Sequence, residues 1–108
     1  MPKKLTYNQK MRALEKNKNG IDFKFSEDRI LADLQEYVEA TYDSHYAQTK
    51  SYQATEIIID QGHGTGFCMG NIMKYAQRYG KKEGHNKADL MKVIHYAIIQ
   101  LSQDHYKE

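Results

Sequence analysis

The sequence predicts an all-α domain of about four helices, and three observations support that prediction. Apolar residues recur at intervals of three and four over residues 30–41 and again over residues 90–101, as they do on one face of a helix. Ser26 and Asn86 stand directly before these two segments, and both residue types favour a helix N-cap. The polar residues 81–85 indicate a short turn, so the last two helices are expected to form an antiparallel hairpin.

The N-terminal part of the chain is polar and basic, which predicts an arm outside the core. Residues 1–20 hold few apolar side chains and fit either a mobile arm or a short helix over about 7–17. Alternating apolar and polar residues over 21–25 indicate a short extended segment. We therefore expect a basic arm over 1–25 and a single helical domain over 26–108.

The helix boundaries follow from residues that favour a helix start or end. The expected helices cover residues 26 to about 43, about 54–61, about 66–79 and about 87–103. Gly62 and Gly80 are expected to end the second and third helices. The three isoleucines of the second helix would, by themselves, also fit a buried strand. The last helix has an apolar stripe that is expected to face the core: Leu90, Val93, Ile94, Ala97, Ile98 and Leu101.

The composition is that of an ordinary soluble protein with one modest core. Of its 108 residues, 40% are hydrophobic and 28% are charged. No apolar run approaches the roughly 18 residues of a membrane span, and the N-terminus lacks the apolar core of a signal peptide. We therefore expect a cytoplasmic protein without a membrane partner. Cys68 is the only cysteine, which excludes an internal disulfide and a thiolate zinc finger within one chain.

The net charge of +2 conceals an uneven distribution. By count, residues 1–24 carry a net charge of about +5, residues 25–70 about −6 and residues 71–108 about +3. This distribution could attract an anionic ligand, and it could equally hold subunits together head to tail. The chain also has nine tyrosines and no tryptophan, and tyrosine suits half-buried surfaces and interfaces. A homo-oligomer is therefore expected.

Three alternating glycines, Gly62, Gly64 and Gly66, lead into the third helix. Glycines let a ligand approach the backbone, and the free N–H groups at a helix start attract anions. The segment is neither a Walker loop nor a convincing dinucleotide fingerprint, because the required spacing and strand context are missing. Its plainer interpretation is a flexible turn between two helices.

The third helix carries a stripe of hydrogen-bond donors that follows these glycines. Asn71, Lys74, Arg78 and Lys82 recur at intervals of three and four, so they share one surface. In such a stripe the planar guanidinium of Arg78 could clamp a phosphate, with Lys74 as a mobile point charge. The stripe therefore predicts a site for a phosphate-bearing ligand, and the alternative interpretation is a solvated helix face.

The order of several motifs resembles a known protein family. The motifs are His45-Tyr46, Glu56, the run Gly-Asn-x-x-Lys-Tyr-x-x-Arg-x-Gly-Lys-Lys over 70–82, and Asp89, Lys92 and Tyr96. This order resembles the SaV-like family of small bacteriophage proteins over residues 45–101. Described relatives include a coliphage nucleotide kinase without the usual phosphate-binding loop. The resemblance implies a phage protein that binds a nucleotide or related phosphate ligand, with ATP and Mg²⁺ as cofactors if it is a kinase.

The resemblance and the donor stripe together give a set of candidate site residues. Glu56 is the expected carboxylate, either holding a metal or accepting a proton. The expected ligand-binding residues are His45, Tyr46, Gly64, Gly66, Asn71, Lys74, Tyr75, Arg78, Lys81 and Lys82. The five histidines show no metal-ligand spacing, so no structural metal is expected.

Three functions remain open from the sequence. The first is a phosphotransferase of the nucleoside monophosphate kinase type. The second is a non-catalytic protein that sequesters nucleotide signals of bacterial immunity. The third is an inhibitor that binds a host protein through the basic arm or the acidic helix. Nucleic acid is not expected as a partner, because the arm lacks the aromatic residues of a base-stacking surface.

Overall fold

A computed structural model describes residues 19–42 and 50–107 of the chain. All the regular structure in these residues is helical: α1 (Glu27–Thr41), α2 (Lys50–Asp60), α3 (Gly64–Arg78) and α4 (Lys87–His105). The prediction of an all-α chain with four helices is therefore confirmed. The helix considered for residues 7–17 and the His45-Tyr46 motif lie outside the described residues.

The chain divides after Tyr42 into two compact units. The first unit contains α1, which buries Ala32 and Leu34. Ser26 occupies the predicted N-cap position, but its backbone is left-handed with φ 58° and its side chain makes no capping hydrogen bond. Residues 1–18 of the predicted arm are not among those described, so the predicted domain boundary at residue 25 stays a prediction.

The second unit contains α2, α3 and α4. The three isoleucines of residues 57–59 lie in α2, so the helical interpretation of that segment is confirmed and the strand is excluded. Gly62 ends α2 with φ 86°, and its N–H donates to the carbonyl of Ile59 at 3.0 Å. The third helix starts at Gly64, two residues earlier than expected, because Gly64 and Gly66 adopt helical rather than loop conformation.

A short turn connects α3 to α4, as predicted from the polar residues there. Gly80 follows the end of α3 with φ 84°, and its N–H donates to the carbonyl of Gly84 at 2.9 Å. Asn86 caps α4, since its Oδ1 accepts a hydrogen bond from the N–H of Ala88 at 2.9 Å. The two helices pack closely along their length, which confirms the predicted hairpin.

The core of the second unit is small and its composition is unexpected. Among the described residues of this unit, those that are buried are Gly64, Cys68, Asp89 and Met91. The apolar stripe of α4 was expected to face the core, and this expectation is wrong at three positions: Leu90, Ile98 and Leu101 are 42%, 40% and 48% exposed. The physical reason is that α4 turns a more polar side toward α3. In the described part of the chain, no helix combines the length and apolar character of a membrane span.

Candidate functional site

The facing sides of α3 and α4 bring together most of the interacting side chains of the second unit. The contacts join Thr65 with Gln100, Cys68 with Gln103, Phe67 and Tyr75 with Tyr96, Tyr75 with Lys92, and Arg78 with Asp89. Residues that are early in α3 meet residues that are late in α4, which is the register of an antiparallel pair. The α4 residues recur at intervals of three and four, so they share one side of that helix and form one continuous seam with α3.

A buried ion pair closes the end of this seam nearest the turn. Arg78 Nε lies 3.5 Å from Oδ1 of Asp89, and Arg78 Nη2 lies 3.9 Å from Oε2 of Glu83. The side chain of Asp89 is 4% exposed and that of Arg78 is 33% exposed. Burying a carboxylate is costly without a partner, and the guanidinium supplies that partner. Arg78 was predicted to clamp a phosphate, and the structure places it against these two carboxylates.

A cluster of aromatic and basic side chains occupies the middle of the seam. The rings of Tyr75 and Tyr96 stack with centroids 6.2 Å apart and an interplanar angle of 7°. Phe67 meets the Tyr96 ring edge-on, with centroids 5.7 Å apart. The ammonium nitrogens of Lys74 and Lys92 lie 4.5 Å and 4.9 Å from the centroid of Tyr75. The Tyr75 ring thus makes cation–π contacts with two lysines, one from each helix.

These two lysines are close enough to repel each other. Both nitrogens lie within 4.9 Å of the same centroid, so their separation is within the Debye length of ~10 Å at 0.1 M salt. The two ion pairs at the end of the hairpin are formed by Arg78 and not by these lysines. The negative face of the Tyr75 ring attracts both ammonium groups, and such an interaction contributes about 0.5–1 kcal/mol at an exposed site. The arrangement therefore presents a concentrated positive charge.

Asn71 lies in the same helix as these residues but has an intrahelical role. Its Nδ2 donates to the carbonyl of Phe67, four residues earlier, at 2.9 Å. Asn71 is half-buried, and its side-chain nitrogen is therefore engaged within α3. The residues of the predicted donor stripe therefore have different partners. Asn71 bonds to the α3 backbone and Arg78 pairs with Asp89, whereas the ammonium group of Lys74 lies over the Tyr75 ring.

The glycines before and within α3 have different surroundings. A Cβ at Gly64 would collide with the end of the Gln103 side chain and would lie 3.0 Å from Cγ1 of Ile59, so Gln103 would have to move to admit a side chain at this position. A Cβ at Gly66 would meet nothing within 4 Å. The missing side chain of Gly64 therefore leaves room for Ile59 of α2 and Gln103 of α4. Gly66, in contrast, is exposed, and no side chain covers its backbone.

The remaining predicted site residues lie on exposed surfaces or outside the described residues. Glu56 is exposed on α2, and Lys81 and Lys82 are exposed in the turn between α3 and α4. His45 and Tyr46 are not among the described residues. Within the described chain, no three His, Cys, Asp or Glu side chains are arranged to hold a metal ion.

Lys92 and Tyr96 are cluster members that the sequence analysis did not assign to the site. Their signal was present in the spacing, because Asp89, Lys92 and Tyr96 lie three and four residues apart and so share one side of α4. The missing information was that this side, rather than the apolar stripe, faces α3. Burial near the seam also shifts two other groups: it lowers the pKa of His95 and raises the pKa of the Cys68 thiol.

The comparisons with known proteins identify a family for this chain. The model of a family described as a protein of unknown function (DUF3310) matches residues 40–98. This range is more than half of the 108 residues, and the chain therefore belongs to that family. It includes α2, α3 and the first part of α4, and so the aromatic and basic cluster. Searches of the curated proteins and of the solved structures found no match to the chain.

Proposed function

We propose that this member of the DUF3310 family binds a nucleotide or a related phosphate-bearing small molecule through Lys74, Tyr75 and Lys92. The observation that carries the proposal is the position of two lysine ammonium groups, 4.5 Å and 4.9 Å from the centroid of one tyrosine ring. A phosphate oxygen accepts hydrogen bonds from ammonium groups, and a charge-assisted bond of this kind is stronger than a neutral one.

Electrostatics favour an anionic ligand at this position. Two ammonium groups within about 10 Å repel each other, and an anion between them would turn that repulsion into attraction. The surrounding sequence adds to the positive charge, because residues 71–108 carry a net charge of about +3 by count. Lys81 and Lys82 in the turn are exposed and would extend the attraction toward a ligand with several phosphates.

The aromatic rings support a ligand that also carries a planar group. Tyr75 and Tyr96 stack on each other and stand beside the two lysines. Aromatic side chains provide flat apolar surface on which a nucleobase can stack, and such stacking contributes about 1–3 kcal/mol per base. A nucleotide combines both features, a phosphate for the lysines and a base for the rings. This combination supports a nucleotide over a simple inorganic anion.

The biological setting of the proposal comes from the resemblance to the SaV-like family. It places the protein in a bacteriophage, acting in the cytoplasm of the infected bacterium, and gives two uses for the ligand. As a kinase-like enzyme, the protein would transfer phosphate to a nucleoside monophosphate with Mg²⁺ and ATP. As a sequestering protein, it would hold a nucleotide signal without turnover. Binding at the lysine pair is common to both uses.

The binding proposal is tested by calorimetry on the full chain. The probes are inorganic phosphate, pyrophosphate and a panel of nucleoside mono-, di- and triphosphates. Lys74→Gln and Lys92→Gln should each weaken binding of the preferred probe about tenfold, since a hydrogen bond to a charged group contributes about 1.5–3 kcal/mol. The matched control is Lys107→Gln, an exposed lysine beyond the end of α4. Equal affinities for all three variants would overturn the proposed site.

Turnover is tested separately from binding. The assay follows phosphate transfer from ATP to each nucleoside monophosphate, with and without Mg²⁺. A kinase-like enzyme should lose turnover in Glu56→Gln while it keeps its affinity for the ligand. A sequestering protein should bind tightly without Mg²⁺ and show no transfer, and Glu56→Gln should then leave its affinity unchanged.

A further inference from the structure

The helix α4 has two distinct sides, one of which pairs with α3. The side toward α3 is formed by residues that recur at intervals of three and four: Asp89, Lys92, Tyr96, Gln100 and Gln103. Most of these residues are polar or charged. Among the described residues of this unit, α4 packs along α3. The hairpin is therefore built on the more polar side of α4.

The apolar residues of α4 lie on a different side. Leu90, Ile94, Ala97 and Leu101 are separated by four, three and four residues, which is the spacing of a coiled-coil seam. At 3.6 residues per turn, this seam is rotated about 130° around the helix from the side that faces α3. Leu90 and Leu101 are 42% and 48% exposed, and the adjacent Ile98 is 40% exposed. The two ends of this apolar row are therefore exposed on the 19-residue helix, and Ile94 and Ala97 between them are half-buried.

The residues of this seam are complementary to themselves in an antiparallel arrangement. If two copies of α4 pair about an axis between residues 95 and 96, Leu90 opposes Leu101 of the second copy. In the same register the larger Ile94 opposes the smaller Ala97, so the two side chains can interdigitate. Two large and two small residues therefore meet around the centre in a symmetric way, as a two-fold interface requires.

Charge at the ends of the seam selects this orientation. Lys87 and Asp104 continue the same spacing, and in the antiparallel register Lys87 opposes Asp104 of the second copy. A parallel pair would set Lys87 against Lys87 and Asp104 against Asp104, which is unfavourable for like charges. Both residues are exposed on the described chain. Opposite charges that meet at both ends of an interface favour the correct register and partner.

We propose that α4 is a self-association surface, through which two copies of the chain pair antiparallel along Leu90, Ile94, Ala97 and Leu101. The pairing leaves the side of α4 that carries Lys92 directed toward α3. The proposed ligand site and the proposed interface therefore use different sides of one helix. Neither proposal depends on the other.

The first test measures the mass of the full chain in solution by sedimentation equilibrium. The wild-type chain should sediment as a dimer or a multiple of it, from a monomer of 12.6 kDa. Leu101→Glu places a carboxylate in the seam and should weaken self-association by at least about 100-fold, because the charge would be buried without a partner. The matched control is Ile57→Glu, since Ile57 is 59% exposed on α2.

Three results would overturn the proposal. They are a wild-type chain that is monomeric up to ~100 μM, a Leu101→Glu variant with the wild-type mass, and a larger loss of self-association in Ile57→Glu than in Leu101→Glu. Far-UV circular dichroism of each variant checks that its helices are intact. Because Leu101 is 48% exposed and lies on a side of α4 rotated away from the residues that pair with α3, a folded Leu101→Glu monomer is the expected outcome.

The second test determines the orientation. In a Cys68→Ser background, Leu90→Cys and Leu101→Cys chains are mixed under mild oxidation. The antiparallel register brings the two new thiols together, so the mixed disulfide should form faster than either homodimer disulfide. Predominant cross-linking of Leu90→Cys to itself would indicate a parallel pair and would overturn the register. The charge reversals Lys87→Glu and Asp104→Lys should each weaken pairing, and the double reversal should restore it.

Discussion

Arg78 Nε lies 3.5 Å from Oδ1 of Asp89, between the last turn of α3 and the first turn of α4. Of the residues that join α3 to α4, these two lie nearest to the connecting turn. Their pairing gives Oδ1 of the 3% exposed residue Asp89 a cation as partner, while Oδ2 is buried without a hydrogen bond. It also gives Arg78 a role in holding the two helices that carry Lys74 and Lys92, which makes it a positioning residue for the proposed site.

The ion pair predicts a large loss of stability when only Arg78 is removed. Arg78→Gln leaves Asp89 buried without its cation, and the free energy of unfolding should fall by about 2–3 kcal/mol, since Arg78 itself is partly exposed. Urea denaturation measures the loss, and Lys82→Gln in the exposed turn is the control. The double variant Arg78→Gln/Asp89→Asn should lose less than the two single losses together.

Measurements of ligand binding distinguish this structural role of Arg78 from the direct phosphate contact that the sequence predicted. A positioning role predicts that Arg78→Gln loses affinity only where it also loses helical packing, and that Arg78→Lys recovers part of both. If Arg78→Gln unfolds like the wild type and still binds the preferred probe more than about tenfold more weakly, Arg78 contacts the ligand directly.

The glycines of α3 predict opposite effects on stability. Gly64→Ala should lower the free energy of unfolding by about 0.5–1.5 kcal/mol, because the end of the Gln103 side chain would have to leave its hydrogen bonds with Cys68 and Gln100. Gly70→Ala should raise it by about 0.5–1 kcal/mol, because the position is helical and open. Thermal unfolding of the two variants measures the difference. A stabilising Gly64→Ala would contradict the close packing of α3 against α4.

Gly66 tests whether a ligand approaches the α3 backbone. On stability alone Gly66→Ala should behave like Gly70→Ala, since a Cβ there would meet nothing within 4 Å. If a phosphate binds near the start of α3, as the sequence predicted, the added methyl group should weaken ligand binding while the protein becomes more stable. Calorimetry with the preferred probe distinguishes this result from unchanged affinity, which would confine the site to the lysine pair.

His95 predicts a dependence of stability on pH. Burial lowers its pKa in the folded chain below the ordinary value of 6.5, so the unfolded chain binds the proton more readily. The stabilisation is complete above pH 6.5 and is lost as the pH falls through the interval between the unfolded and folded pKa values. The Tm should therefore fall on acidification from about pH 8 to 5, and His95→Gln should flatten part of that fall. An unchanged profile in His95→Gln would contradict this assignment.

Cys68 predicts slow thiol chemistry in the folded protein. The residue is fully buried, and burial raises its pKa, although a hydrogen bond from Gln103 partly opposes that rise. The thiolate is the reactive form, so alkylation by iodoacetamide at about pH 8 should be at least 100-fold slower than in urea. Arg78→Gln should accelerate the reaction, because it loosens the hairpin. Alkylation as fast as in urea would contradict the burial of Cys68.

Local signals in the sequence were sufficient for the four helices and for most of their ends, but α2 begins at Lys50 and α3 at Gly64, earlier than the expected residues 54 and 66. Asn86 caps α4 and Gly80 follows α3 in a left-handed conformation, as their residue types indicated. Ser26 was placed correctly as an N-cap, but its left-handed backbone keeps the side chain from capping. Such features depend on a few neighbouring residues, which is why the sequence predicts them.

The pairing of α3 with α4 could not be predicted in the same way. Which side of α4 meets α3 depends on the register of two helices, and hydrophobicity alone favoured the side with Leu90 and Leu101. The structure instead pairs Asp89 with Arg78 and Lys92 with Tyr75. A polar seam of this kind depends on specific partners across the hairpin, and a single sequence does not reveal which partners meet.

One side of α4 pairs with α3 and another is the proposed self-association surface, and together they restrict how the sequence of the helix can change. Each residue advances about 100° around the helix, so one inserted or deleted residue would rotate everything beyond it by that angle. Such a change near Tyr96 would move Gln100 and Gln103 away from α3 and, at the same time, move Leu101 out of the proposed seam. A substitution affects one side of α4 at a time, whereas a change in its length between Asp89 and Asp104 affects both sides together.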